Sequence, residues 1–299
     1  MLMVDKTSEN GRPAEPWTDR RSPDRPQFVD GWRKAVRRKV AQSRATQPTQ
    51  IAPTGHIEIW IASPDHLMRA RSSLSLLSED DWQQINRNQD PSRRRAAIAA
   101  RIILRIALSH AAEHKVRPAD WRFVVAPNGK PAVAPDLPQI HFSISHVDPM
   151  VAVAVSAERE IGLDIECVDQ NVSPDLIAEF AHVDERNSIG GLPRPREIRE
   201  FIRLWTLKEA YTKLTGTGHA LDFKSIKFTL DPVNMEASDE TAAGATQFEN
   251  FYISNKHLLF FASLAIRHPP QDAGTTEVQI VSLALTETGN NDGALPLAG

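Results

Sequence analysis

Hydrophobic positions follow two periods along the chain. Ile57, Ile59 and Ile61 alternate with other residues, which is the period of a strand with one buried face. Apolar residues three and four apart predict a long helix from Ser92 to about His114 and another over residues 196–214. Further helices are predicted over residues 64–77, after Ser78 with Asp81 as a capping arrangement, and over 174–181. Further strands are predicted over residues 121–125, 140–145, 151–155, 161–166, 225–230, 248–253, 258–266 and 278–283.

The order of these elements repeats along the chain. Helices followed by antiparallel strands occur once over residues 55–160 and again over residues 161–286, which predicts an α+β fold built from two related halves. Residues 1–54 are rich in Pro, Arg, Ser and Gln and predict a disordered basic extension. Apolar residues at helical spacing within it leave open a basic amphipathic helix for a membrane surface or a partner. Residues 287–299 are expected to form a flexible tail.

An acidic strand is predicted over residues 161–166, Ile-Gly-Leu-Asp-Ile-Glu. Side chains two apart on a strand share a face, so Asp164 and Glu166 point the same way with Cα atoms roughly 6.5 Å apart. The aliphatic side chains of the strand point the other way, into a core. Two neighbouring carboxylates repel each other unless a cation or a proton lies between them. The alternative is a solvated sheet face with no chemical role.

The second predicted long helix carries further candidates. Trp205, Glu209 and Lys213 are four residues apart and therefore share one face of the helix. Three carboxylates with a lysine suggest a hard divalent cation, Mg²⁺, that holds a phosphate group. Glu209 and Lys213 could also be no more than a surface ion pair.

Composition and charge restrict the function. The chain has 299 residues, of which 41% are hydrophobic and 24% charged, as in ordinary globular proteins. Its single cysteine, Cys167, cannot form an internal disulfide, and neither a bilayer-spanning stretch nor a secretory signal is visible. We therefore expect a cytoplasmic protein. Residues 1–54 hold 11 Lys and Arg against 6 Asp and Glu, and the remainder carries a net charge of −8, which argues against a nucleic-acid partner.

Three further motifs are candidates for phosphate binding. Residues 128–131, Asn-Gly-Lys-Pro, predict a tight turn beside Lys130, although such a turn often closes a hairpin and nothing more. Residues 142–146 end in Ser145 and His146, which suit a phosphate contact better than nucleophilic catalysis, because adjacent strand residues point to opposite faces. The most basic stretch of the acidic body, a plausible phosphate site, contains Arg87, Arg93, Arg94, Arg95, Arg101 and Arg105.

The order of four motifs resembles the surfactin-type 4′-phosphopantetheinyl transferases. They are Asn-Gly-Lys-Pro at 128–131, Phe-Ser-Ile-Ser-His at 142–146, Ile-Gly-Leu-Asp-Ile-Glu at 161–166 and Trp-Thr-Leu-Lys-Glu-Ala-Tyr-Thr-Lys at 205–213. The resemblance covers about residues 56–285. It implies two similar α+β halves related by a pseudo-twofold axis, with coenzyme A and Mg²⁺ between them. The implied reaction moves the phosphopantetheine arm of coenzyme A onto a serine of an apo carrier protein and releases 3′,5′-ADP.

The resemblance also implies roles for particular residues. Asp164, Glu166 and Glu209 match the metal-binding acids, and Glu209 also matches the residue that helps to deprotonate the carrier serine. Lys213 matches the lysine on the pyrophosphate. The implied contacts to coenzyme A are Lys130, Ser145, His146 and Lys213, and, for the 3′-phosphate, the arginines Arg87, Arg94 and Arg95. These arginines are chosen because Asp81 and Gln84 stand where related enzymes carry lysines.

Two other functions stay open. Acids on a strand beside a lysine also suit a Mg²⁺-dependent phosphohydrolase or nuclease. A non-enzymatic adaptor could dock acidic carrier helices with its basic extension. Because both halves lie in one chain, we expect a monomer to contain a complete site.

Overall fold

The computed structural model describes residues 56–69, 71–237, 246–255, 258–268 and 276–282. The predicted extension over residues 1–54 and the predicted tail over residues 287–299 lie outside the described residues. Six helices are described: α1 (Pro64–Arg69), α2 (Glu79–Asn86), α3 (Pro91–Ala111), α4 (Pro174–Phe180), α5 (Val183–Ile189) and α6 (Arg194–Thr215). The described strands are β1 (His56–Ala62), β2 (Phe123–Val125), β3 (Pro131–Val133), β4 (His141–Val147), β5 (Met150–Ser156), β6 (Ile161–Cys167), β7 (Ile226–Leu230), β8 (Val233–Ala237), β9 (Thr246–Asn255), β10 (Leu258–Arg267) and β11 (Glu277–Ser282).

Two larger sheets form the centre of the fold. One has the order β11-β1-β5-β4 and the other the order β6-β10-β9, while β2–β3 and β7–β8 form separate hairpins. Strands β1 and β11 are parallel, and the other pairs in these sheets are antiparallel. Helices and largely antiparallel sheets occur together, so the predicted α+β class is confirmed.

The layers follow from three groups of buried residues. Side chains from β1, β5, β6 and β10 form a core that both sheets share. Helix α3 packs on the opposite faces of β1 and β5, and α6 packs on the opposite face of β10. The order through the molecule is therefore helix, sheet, sheet, helix. Both sheets are covered on two sides, which explains why every residue of β5 is buried.

The long helix α3 begins at Pro91, one residue before the predicted start at Ser92. Asp90, and not Ser92, precedes the helix, and its side chain accepts a hydrogen bond from the backbone N–H of Arg93. Pro91 lies in the first turn, where its missing N–H leaves no donor unsatisfied. The capping box of Ser78 and Asp81 at α2 is confirmed in both of its bonds.

The acidic strand β6 corrects one expectation. It was predicted to have one buried face, yet residues 161–165 are all buried. Ile161, Leu163 and Ile165 enter the shared core as predicted, whereas the face that carries Asp164 is covered by α6. Gly162 lies directly under that helix, and a Cβ atom on it would stand 2.0 Å from the carbonyl oxygen of Ala210. The carboxylate of Asp164 is therefore an interior group and not part of a solvated face.

Within the described parts of the chain, no helix combines the length and the apolar composition that are needed to cross a membrane.

Candidate functional site

The two larger sheets meet where β4 faces β6. Each of these strands is the last in its sheet, so the outward N–H groups of β6 need partners other than a neighbouring strand. The hydroxyl of Ser143 accepts a hydrogen bond from the N–H of Leu163 at 2.9 Å, and the hydroxyl of Ser145 accepts one from Ile165 at 3.2 Å. Serine side chains on β4 thus hold β6 in place.

Asp164 lies at the centre of this junction and is 4% exposed. Its Oδ1 accepts hydrogen bonds from the hydroxyl of Ser145 at 2.8 Å and from the ammonium of Lys213 at 2.7 Å. Its Oδ2 is buried and has no hydrogen-bond partner among the described residues. Three elements, β4, β6 and α6, therefore converge on one carboxylate, with half of its hydrogen-bonding capacity unused.

Glu166 stands next to Asp164 on the same face of β6. Its Oε2 accepts a hydrogen bond from the side-chain amide of Gln170 at 2.6 Å. Burial, and then the negative charge of Asp164, raise the pKa of Glu166 to about 7, against the smaller opposing effect of Gln170. Two desolvated carboxylates in this arrangement favour a proton or a metal cation between them.

Helix α6 contributes Glu209 and Lys213. Both side chains are partly buried, and Glu209 precedes Lys213 by about one turn. The structure brings Lys213, Asp164 and Ser145 into direct contact. Over the described ranges, no group of three or more His, Cys, Asp and Glu side chains is arranged to hold a metal ion. The set of Asp164, Glu166 and Glu209 as three metal ligands stays a prediction.

Lys130 and His146 lie near this junction on different elements. Lys130 follows the β2–β3 turn, in which Gly129 has a φ of 83°, and its ammonium donates to the carbonyl oxygen of Ile161 at 2.6 Å. Burial lowers the pKa of Lys130 to about 8, although the charge of Glu160 opposes the shift. His146 is exposed at the end of β4, immediately after the buried Ser145.

The predicted arginine contacts lie around the start of α3. Arg87, Arg94 and Arg95 are exposed, and Arg94 donates to the side chain of Asn86. Arg95 borders a small open pocket whose lining residues are Pro64, Asp65, Ser92, Arg95, Asp148 and Pro149. Their role in binding a phosphate stays a prediction.

Two other arginines of the basic stretch have structural partners. Arg105 is 1% exposed and forms an ion pair with Asp81. It also donates to the hydroxyl of Ser78 and to the carbonyl oxygens of residues 118, 119 and 121. Arg101 pairs with Asp81 at 3.1 Å and also donates to Gln84. The two residues that replace the expected lysines therefore anchor arginines of α3.

The sequence analysis missed one side chain at the site, Gln170, and one structural side chain next to Glu209 in sequence, Lys208. Gln170, which contacts Glu166, follows β6 in a segment without periodicity. Lys208 precedes Glu209 and is 1% exposed. Its ammonium pairs with Glu185 at 2.7 Å and donates to the carbonyl oxygens of Phe223 and Ile226. Lys208 lies four residues after Leu204, a buried residue on the apolar face of α6, and this spacing could have predicted that Lys208 is buried.

Comparisons with known proteins match this region. Residues 160–261 match the model of the 4′-phosphopantetheinyl transferase superfamily, and the segment contains β6 and α6. A phosphopantetheinyl transferase of Thraustochytrium sp. is 28% identical over 240 residues, 74% of this chain and 82% of that protein. The 4′-phosphopantetheinyl transferase HetI of Nostoc sp. is 32% identical over 159 residues, 52% of this chain and 66% of HetI. The 4′-phosphopantetheinyl transferase Sfp of Bacillus subtilis is 26% identical over 157 residues, 52% of this chain and 68% of Sfp.

Two of the four predicted motifs, at 161–166 and 205–213, lie inside the segment that the family model matches. These are the motifs whose side chains meet at Asp164. The predicted resemblance and the predicted enzyme class are thereby confirmed: residues 160–261 match the 4′-phosphopantetheinyl transferase superfamily, and the relatives named above are phosphopantetheinyl transferases.

Proposed function

We propose that this protein transfers the 4′-phosphopantetheine arm of coenzyme A to a serine hydroxyl of an apo carrier protein, depends on Mg²⁺ and releases 3′,5′-ADP. The observation that carries the proposal is the contact of Asp164 with Ser145 and Lys213, made by three elements of which two lie in the matched segment. The names of the relatives support the type of group that is transferred.

The residues at the junction fit a divalent cation. Asp164 has a buried oxygen without a partner, and Glu166 has a raised pKa because a second carboxylate stands beside it. Carboxylate oxygens are the ligands that Mg²⁺ prefers. Asp164 and Glu166 would hold the ion, with Glu209 as the third ligand by resemblance. Bound Mg²⁺ would neutralise the negative charge of the pyrophosphate oxygens.

The side chains of α6 would carry out the remaining chemistry. Glu209 would accept the proton of the carrier serine as the serine oxygen forms a bond to the β-phosphorus of coenzyme A. The bond from that phosphorus to the bridging oxygen breaks, and the electron pair leaves with 3′,5′-ADP. Lys213 would balance the charge that develops on the pyrophosphate, since its ammonium already pairs with an interior carboxylate.

The donor would be bound along the edges of the site. Lys130 and His146 would contact the nucleotide and its phosphates, and Arg87, Arg94 and Arg95 would hold the 3′-phosphate with exposed guanidinium groups. Asp148 also borders the pocket beside Arg95, so charge there is mixed. The resemblance also implies a phosphate contact by Ser145, a role that the three hydrogen bonds of its hydroxyl do not favour.

The overall arrangement supports two related halves. Each larger sheet has one long helix on its outer face, α3 on the first and α6 on the second. We propose that a pseudo-twofold axis relates the half over residues 55–160 to the half over residues 161–286. A monomer in the cytoplasm would then contain the whole site, with coenzyme A and the apo carrier protein as partners and no nucleic acid involved.

The test is a reaction of the purified chain with coenzyme A, Mg²⁺ and an apo carrier protein. Mass spectrometry should find one phosphopantetheine arm on the carrier, and chromatography should find an equal amount of 3′,5′-ADP. Asp164→Asn and Glu209→Gln should each lower the rate by about 10²-fold or more, whereas Glu179→Gln, at an exposed position of α4, should not.

Other results would contradict the proposal. Release of inorganic phosphate or cleavage of nucleic acid without carrier modification would favour a phosphohydrolase or nuclease. Carrier binding that needs neither Mg²⁺ nor coenzyme A, with an unmodified carrier, would favour an adaptor.

A further inference from the structure

The hydroxyl of Ser145 makes three hydrogen bonds. It donates to Asp164 Oδ1 at 2.8 Å, and it accepts from Lys213 Nζ at 3.0 Å and from the N–H of Ile165 at 3.2 Å. A serine hydroxyl has one donor and two acceptor positions, so these three bonds use its full capacity. Ser145 is also only 5% exposed. In this arrangement the hydroxyl has nothing left to offer a phosphate oxygen.

We infer that Ser145 is a positioning residue that fixes the orientation of the Asp164 carboxylate, and that it is not a phosphate contact. Its hydroxyl holds Oδ1 toward Lys213 and leaves the buried Oδ2 free for a divalent cation. This inference rests on the proposed function for the identity of the cation, and it departs from the role that the family resemblance implies for this serine.

The physical reason is the rotational freedom of a carboxylate. The terminal torsion of an aspartate is broad, so the plane of its carboxylate turns unless neighbours fix it. Lys213 alone would leave that plane free to turn, because an ammonium group is a compact charge on a flexible stem. Ser145 removes that freedom, since its backbone partner on β6 anchors it and it contacts both the carboxylate and the ammonium.

Ser143 provides a matched control. It lies two residues earlier on the same strand, is also 5% exposed, and accepts a hydrogen bond from the N–H of Leu163. It therefore joins β4 to β6 in the same manner, but it bonds to a backbone group and not to a carboxylate. Replacing Ser143 removes a bond between the strands without touching Asp164.

The test measures cation binding separately from activity. Mn²⁺ affinity, followed by electron paramagnetic resonance without coenzyme A, should fall by about 10- to 100-fold in Ser145→Ala, the usual cost of losing a group that orients a metal ligand. Ser143→Ala should stay within about twofold of the wild type. In the transfer reaction Ser145→Ala should lower kcat by about tenfold or more, while the KM for coenzyme A changes by less than about twofold.

A second variant covers the case in which Ser145→Ala does not fold. Ser145→Cys fills nearly the same space, but a thiol is a weak donor and acceptor, so this variant should fold and show the same loss of Mn²⁺ affinity. Ser145→Thr keeps the hydroxyl and should recover most of the affinity. Urea unfolding of each variant should identify any loss that reflects folding alone.

Several results would overturn the inference. Unchanged Mn²⁺ affinity in Ser145→Ala and Ser145→Cys would do so, as would a wild type that binds no Mn²⁺. A KM for coenzyme A raised about tenfold at constant kcat would instead identify a phosphate contact. If the wild type binds Mn²⁺ but modifies no carrier, the proposed function fails, and the Mn²⁺ affinities of the variants alone then support or refute the positioning role.

Discussion

Replacing Gly162 by alanine tests how closely α6 must approach β6. The added Cβ would stand 2.0 Å from the carbonyl oxygen of Ala210 and 2.4 Å from the backbone nitrogen of Leu214. A carbon needs roughly 3.4 Å from a carbonyl oxygen, so the helix must move away by roughly 1.4 Å. Both obstructing atoms belong to the backbone, and no side-chain rotation can make room. We expect Gly162→Ala to lower the free energy of unfolding by about 3 kcal/mol, the upper part of the range for overpacked cores.

The same displacement should impair transfer, because α6 carries both Glu209 and Lys213. A misplacement of about 1 Å can cost 10²-fold in rate, and we expect a loss of that order in carrier modification. Urea unfolding followed by tryptophan fluorescence gives the stability, and mass spectrometry of the carrier gives the rate. Gly191→Ala is the control, since a Cβ there has no atom within 4 Å and should change stability by less than about 0.5 kcal/mol. A Gly162→Ala protein with wild-type stability and rate would refute the close approach.

Three further predictions concern charges outside the acidic strand. Lys208→Met should destabilise the protein by about 3–5 kcal/mol in urea unfolding, because it leaves Glu185 buried without its partner; a loss under about 1 kcal/mol would contradict this. The hydrogen bond that His110 makes to Glu58 raises the pKa of His110 despite burial. Burial is the largest single effect on the pKa of Glu58 and would raise it, but hydrogen bonds and neighbouring positive charge together outweigh burial and lower that pKa. The pair therefore contributes fully to the stability of the fold between pH 4.5 and pH 6.5, the ordinary pKa values of Glu58 and His110. This stabilisation is lost as the pH falls through the pKa of Glu58 in the folded protein, or rises through the pKa of His110 in the folded protein. His110→Gln should accordingly lower the urea midpoint at about pH 5.5 and hardly at about pH 9; equal losses at both would refute the pairing. Arg95→Ala should keep the urea midpoint of the wild type and raise the KM for coenzyme A by about tenfold, as expected for an exposed phosphate contact; an unchanged KM would exclude it.

Hydrophobic periodicity predicted the elements that carry the site. The acidic strand was predicted over residues 161–166 and is observed as Ile161–Cys167, and the second long helix was predicted over 196–214 and is observed as Arg194–Thr215. Both have strong periods because each packs an apolar face into a core. Helix α5 was not predicted, since it is short and largely polar, and strand β8 was not predicted, since it has only five residues. Helix α5 is stabilised by its cap, in which Glu185 accepts from the N–H of His182.

Periodicity along one element does not show what lies on its polar face. The alternation in β6 placed Asp164 correctly on the face opposite the aliphatic residues, but Lys213, from the helix that buries this face, is 49 residues away in sequence. Arg105 shows the same limit. A basic stretch predicted a phosphate site, whereas this arginine points inward and pairs with Asp81 across α2 and α3. Partners that are distant in sequence decide whether a charge is exposed or structural.

Burial of the acidic pair also makes the site depend on the whole fold. Asp164 is ionic, interior and only half satisfied, an arrangement that costs free energy unless the neighbouring groups are held in place. Those neighbours come from β4 in one sheet and from α6 above the other. A low-dielectric position strengthens each of these interactions and any interaction with a bound cation. A substitution that separates the two sheets should therefore reduce the affinity for the proposed cation even where it touches none of the proposed ligands, and that cation, once bound, should in turn stabilise the junction by mass action.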